Sequence, residues 1–118
     1  MAKEIKVKRI YEAYSRHDGE RILVDRLWPR GIKKENAKID FWMKEIAPSN
    51  ELRNWFSHDP NKWNEFKKRY FIELQKNKAL CEELLSKSNR VITLLYAAKD
   101  ENHNQAIALK EFLEKNFG

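Results

Sequence analysis

Two short stretches hold most of the side chains that could do chemistry. The first is Asp25-Arg26-Leu27-Trp28-Pro29-Arg30-Gly31, which follows the apolar run Ile22-Leu23-Val24. A turn needs only Pro and Gly, so two guanidinium groups, a carboxylate and an indole are surplus to it. The second is Lys99-Asp100 with Asn102, His103 and Asn104, directly after the apolar run 90–97. Arg26 and Arg30 suit a phosphate or carboxylate, because the planar guanidinium fork binds such groups bidentately. Arg53 and Lys99 add positive charge, and Asn104 adds an amide. Asp25 and Asp100 are the candidates for acid and base work, since two carboxylates in a cationic pocket can be driven to different pKa values. Trp28 either stacks on a planar ligand or plugs the core.

Each of these residues also has a plainer reading. Asp25 and Arg26 could pin the turn, Ser49 and Asp59 are well placed as helix caps, and His58 stands alone. Asn102 begins the last helical pattern, whose free amides and positive dipole end attract anions. No glycine-rich phosphate loop accompanies it. His17, His58 and His103 are too scattered to argue for a metal, and the one cysteine, Cys81, lies in a leucine-rich helical pattern that suits a buried thiol. No metal and no cofactor are expected.

The elements that must position these groups follow from periodicity. Residues 4–11 alternate, with Ile5 and Val7 on one face and Lys6 and Lys8 on the other, as in a strand with one wet face. Residues 21–26 read as a second strand. Residues 90–97 are apolar nearly throughout, which suits a strand buried on both faces with parallel neighbours. Between strands two and three the period is helical: Ile39, Trp42 and Ile46 up to Pro48; then Leu52, Trp55 and Phe56; then Trp63, Phe66, Tyr70 and Leu74 after Asp59-Pro60; then Leu80, Leu84 and Leu85. The last helix carries Ala106, Leu109, Leu113 and Phe117, with Asn102 and Gln105 as a capping pair. This predicts one α/β domain over residues 1–118. It has a small, mostly parallel sheet of about three strands, a helical insertion between strands two and three, and helices covering the sheet. Parallel strands bring their carboxyl ends to one edge, where ligands bind in such sheets. Asp25, Arg30 and Asp100 are therefore expected in one cleft.

At 118 residues the chain buries roughly 60–70% of its unfolded surface, enough for one modest core. Four Trp, four Tyr and six Phe are too many for a disordered chain. No apolar run approaches a membrane span, and no signal-peptide core is visible, so a cytoplasmic location and no membrane partner are expected. The net charge of +6 is uneven. Residues 1–34 hold ten Lys and Arg against five Asp and Glu, and residues 61–90 hold eight against four. Such regions are either solvated faces or footprints for an anionic partner.

The segments "VDRLWPRG", "APSNELRNWFSHDP", "KRYFIEL" and "TLLYAAKDENHNQA" together resemble the YeaO-like branch of the family named domain of unknown function 488. The resemblance spans nearly the whole chain and implies a small cytoplasmic α/β domain. A longer branch of that family has an Asp-Val-Arg segment with Pro and Ser in place of "VDRLWPRG", and a Cys, a Glu and Cys-His-Arg in place of "AAKDENHN". This chain lacks those cysteines, so thiol or metal chemistry does not carry over. Three functional readings stand: a pocket for a small phosphate- or nucleotide-like anion, a nucleic-acid-binding module using the basic surface, and a protein-interaction or structural domain. Against the second, most aromatics fall on apolar helical stripes.

Overall fold

The computed structural model describes residues 3–117. In chain order it forms β1 (Glu4–Arg9), β2 (Glu20–Leu23), α1 (Lys34–Ala37), β3 (Phe41–Trp42), α2 (Asn50–Phe56), α3 (Trp63–Gln75), α4 (Lys78–Leu85), β4 (Val91–Tyr96) and α5 (Gln105–Phe117). The strands pair in the order β1-β4-β2-β3, all parallel. The most apolar strand, β4, is thus flanked on both sides. That placement is what a run of Ile92, Leu94, Leu95 and Tyr96 requires, because side chains on both faces are buried.

The sheet has four strands rather than about three. The expected helical stripe through Ile39, Trp42 and Ile46 does not form. Lys38 adopts a left-handed conformation (φ 50°) and ends the single turn α1, after which the chain runs extended. The amides of Asp40 and Met43 then donate to the carbonyls of Arg21 and Leu23, adding β3 at the edge. Backbone pairing along an open strand outweighed a three-residue helical pattern.

Helices α2 to α5 cover one face of the sheet, whereas the single turn α1 lies on the other, where the Arg21 guanidinium donates to the Ala37 carbonyl (3.1 Å). Ile5, Ile22, Val24, Ile92, Leu94 and Tyr96 share one core with Leu52, Phe56, Phe66, Tyr70, Leu74, Leu109, Phe112 and Leu113 from the helices. Alternation sends Leu23 and Leu95 to the opposite face, where they pack with Ile10, Trp28 and Ile32 from loops. Loop 10–19 crosses that face. The Thr93 hydroxyl donates to the Asp18 carbonyl (2.6 Å), and Asp18 pairs with Lys8 (3.1 Å) and Arg21 from the strands below. Burial alone would raise the Asp18 pKa, but the Ser15 amide, Lys8 and Arg21 outweigh it and hold the carboxyl below its usual value. At the turn into β2, Gly19 has φ 66° and its Cα lies against Val91, so a side chain there would meet the β4 backbone.

Three expected helix starts can be compared with the structure. Ser49 accepts from the Leu52 amide (3.2 Å) and caps α2. Asp59 caps the single 3-10 turn Pro60–Lys62 that leads into α3. The last helix begins at Gln105 rather than near Asn102. Asp100 takes the Asn102 and His103 amides, and the Asn104 side chain takes the Ile107 amide (3.0 Å), so the capping pair of Asn102 and Gln105 does not form. No helix is long and apolar enough to cross a membrane among the described residues.

Candidate functional site

Because β2 and β4 are adjacent and parallel, their carboxyl ends open onto one edge of the sheet. A cleft of about 830 Å³ lies there, bounded by the turn after β2, by α2 and by the start of α5. All eight residues singled out in the sequence line it: Asp25, Arg26, Trp28, Arg30, Arg53, Lys99, Asp100 and Asn104. Their individual environments differ sharply.

Asp25 is tied down. The strand stops at Leu23, so Asp25 and Arg26 do not alternate across a continuing ladder. One Asp25 oxygen accepts from the Ala97 amide (3.0 Å) and the other from the Gln105 side-chain amide. The carboxylate thereby clamps the ends of β2 and β4 to the first residue of α5. Burial pushes its pKa up from 3.8 to about 6, although the Ala97 and Gln105 hydrogen bonds and the Arg53 charge pull the other way. Arg26 is likewise committed: its Nε and Nη2 donate to the carbonyls of Pro48 (3.2 Å) and Ala47 (3.0 Å), fixing the approach to α2. Arg53 donates to Asn50 (3.0 Å) from the next turn of α2.

Arg30 and Lys99 are different. Both are exposed at the rim, and neither side chain makes a hydrogen bond or ion pair among the described residues. The Arg30 carbonyl accepts from the Tyr11 hydroxyl (2.8 Å), which holds the turn while leaving the guanidinium free. Trp28 is half-buried, donates to the Ile32 carbonyl (2.7 Å) and meets Trp42 edge-on at 5.4 Å, so it both walls the cleft and packs the loop face. Its bond to Pro29 is trans.

Asp100 accepts two backbone amides and a ring nitrogen, His103 Nδ1 (2.9 Å). The Asn102 amide first, and His103 next, lower its pKa. Asn104 is 2% exposed, with its oxygen on the Ile107 amide and its nitrogen on the Asp100 carbonyl (3.0 Å). Both residues shape the start of α5.

Several residues of the cleft stood outside the candidate site read from the sequence, among them the histidines named there as a strand-end polar residue and a lone histidine. His103 turns Nδ1 to Asp100 and stands near-perpendicular to the Trp63 ring (5.4 Å between centroids), leaving Nε2 as the remaining ring nitrogen. The three-residue spacing of Asp100 and His103 could have signalled this pair. His58 and Ser57 at the mouth both have positive φ (56° and 46°), a strained arrangement for non-glycine residues that no sequence signal announces. Gln105 meets Asp25 across 80 residues of sequence, a pairing that only the fold creates. No group of three or more His, Cys, Asp or Glu side chains able to hold a metal occurs among the described residues.

Comparisons with known proteins agree over almost the whole chain. A protein named "Uncharacterized protein YeaO" from Escherichia coli K12 is 42% identical over 110 residues, covering 92% of this chain and 96% of that one. "Uncharacterized protein Rv3073c" from Mycobacterium tuberculosis H37Rv is 38% identical over 109 residues, covering 92% of each. No solved structure matches. The family described as "Inactive DUF488-N3 subclade" matches residues 4–118, and with these relatives it establishes that the chain belongs to the YeaO-like DUF488 family.

Proposed function

We propose that the cleft binds a small anionic ligand, phosphate- or nucleotide-like, and that the protein works by binding rather than by turnover. One observation carries this reading. Arg30 and Lys99 stand unpaired at the rim, while the two carboxylates of the cleft, Asp25 and Asp100, already accept internal hydrogen bonds. An entering anion therefore meets two free cations, with Arg26 and Arg53 behind them. The partly open cleft suits a ligand of metabolite size. Trp28 and Tyr11 on its wall offer a flat surface for a planar group. Asp25 and Asp100 are poor candidates for acid and base work, because Asp25 would have to surrender the hydrogen bonds that hold the sheet edge together, and Asp100 those that shape the loop before α5. The word "inactive" in the family description fits a binding role.

A thermal-shift screen of inorganic phosphate, phosphorylated metabolites and nucleotides tests this. A ligand at a hundred times its dissociation constant adds about 2.7 kcal/mol of stability, a shift of about 10 °C for a chain of this size. Arg30→Ala should abolish the shift and leave the unliganded protein folded, since its guanidinium holds nothing else. If no anion stabilises the protein, or Arg30→Ala keeps the full shift, the proposal fails.

A further inference from the structure

The face of the sheet opposite α2 to α5 carries a second surface, which adjoins the cleft at Trp28. Register places it. Trp42 pairs with Leu23 and so shares its face, whereas Phe41 pairs with Ile22 and points to the helix side. Loop 10–19 crosses the same face and presents Tyr14, whose ring rests on the Arg21 guanidinium (5.3 Å). Arg21 is only 2% exposed and is held by the carbonyls of Ala37 and Lys38 and by Asp18, so the ring lies on a rigid base. Tyr14 is 50% exposed and Trp42 36%, and the Tyr14 hydroxyl has no hydrogen-bond partner among the described residues. Exposed rings on a fixed base cost little conformational entropy when a partner arrives.

Each ring has a cation beside it. Lys38 lies 4.6 Å from the Tyr14 centroid, Lys44 5.3 Å from Trp42 and Lys34 6.0 Å from Trp28. None of the three lysines forms an ion pair among the described residues. Of the neighbouring carboxylates, Asp18 is neutralised by Lys8 and Arg21, whereas Asp40 and Glu12 are exposed and each accepts one backbone amide, from Arg21 (2.8 Å) and Arg9 (2.9 Å). Glu35 and Glu45 share the segment without pairing to the lysines. Alternating flat rings and unpaired cations match a polymer that offers a planar group and a negative charge at every unit.

We propose that this loop-covered face binds single-stranded nucleic acid, with Tyr14 and Trp42 stacking on bases and Lys34, Lys38 and Lys44 meeting phosphates. A base taking the ring releases the lysine toward the neighbouring phosphate, so stacking and charge neutralisation occur together. A duplex keeps its bases stacked internally and cannot use the rings. An acidic peptide supplies charge without the repeated flat partner, which is why nucleic acid is the better match. Such platforms tolerate sequence, because every base has a π-face.

Fluorescence anisotropy of a short labelled oligothymidylate or oligouridylate with the whole chain at low salt tests the proposal. Binding is expected, falling steeply with salt at a slope of about −0.7 per phosphate contacted. Tyr14→Ala and Trp42→Ala should each weaken it about five- to 150-fold, the worth of one stacked base. Trp42 also donates to the Asp25 carbonyl (2.7 Å) and packs on Trp28, so Tyr14→Ala is the cleaner variant and Tyr14→Trp should restore binding. Thermal melts verify that each variant is folded. Arg30→Ala, in the cleft, should leave oligonucleotide binding unchanged, which separates this surface from the anion site. The proposal is overturned by no binding at low salt, by equal affinity for duplex, by unaltered affinity in Tyr14→Ala, or by polyglutamate competing as well as the oligonucleotide at equal charge.

Discussion

Asp25→Asn isolates the cost of a buried charge at the sheet edge. The carboxyl titrates near pH 6 in the folded chain and near its usual 3.8 in the unfolded one. The folded state therefore holds a proton more tightly, and stability falls as pH rises between about 4 and 6, then levels off. A displacement of about two pKa units corresponds to about 3 kcal/mol at about 1.4 kcal/mol per unit, an upper bound for the gain on removing the charge. Asn is nearly isosteric. Its oxygen can accept from the Ala97 amide, and its nitrogen can donate to Gln105 once that amide rotates, so both clamps survive. Urea unfolding of both proteins from pH 4 to 8 is the assay. The variant should be close to the wild type near pH 4 and more stable by about 1–3 kcal/mol above pH 6. An offset that does not change with pH would show that the charge is not the cost. A variant less stable at neutral pH would show that the Arg53 charge or the ionised hydrogen bonds outweigh burial.

The same titration bears on ligand binding: protonating Asp25 removes a negative charge from the cleft, so any anion found by thermal shift should bind more tightly at pH 5 than at pH 7.5, and Asp25→Asn should flatten that difference. Asp18→Ala strands Lys8 and Arg21 beneath loop 10–19 and should cost about 3–5 kcal/mol in denaturant unfolding. Gly19→Ala drives a methyl into the Val91 backbone at a positive φ and should cost at least about 2 kcal/mol by the same measurement. Cys81 is fully buried, and burial pushes its thiol up to about 11, so a thiol reagent at neutral pH should modify it only at the rate of unfolding; fast labelling of the native protein would contradict its placement.

Much of the site was legible because its logic is local. An apolar run ending in "DRLWPRG" and another ending in "AAKDENHN" mark strand ends, and parallel strands must share an edge. That topological fact alone brings Asp25, Arg30 and Asp100 to one cleft. Ser49 and Asp59 were legible as caps for a similar reason, since the hydrogen bonds they accept come from residues two or three positions along the chain. The fourth strand was not legible. Phe41-Trp42 is too short to carry an alternation, and its pairing depends on where Arg21 and Leu23 lie in space.

Which charges are free and which are spent was decided only by the tertiary structure. Arg26 and Arg30 are the same residue type four positions apart, yet the Arg26 guanidinium is bound to the carbonyls of Ala47 and Pro48 while that of Arg30 has no partner among the described residues. The clamp between Asp25 and Gln105, and the burial that shifts Asp25, need β2, β4 and α5 assembled. The exposed aromatics have the same origin. Tyr14 and Trp42 are open because α2 to α5 pack on the other face of the sheet; strand alternation determines which side chains each face receives, whereas the path of the connections determines which face stays bare.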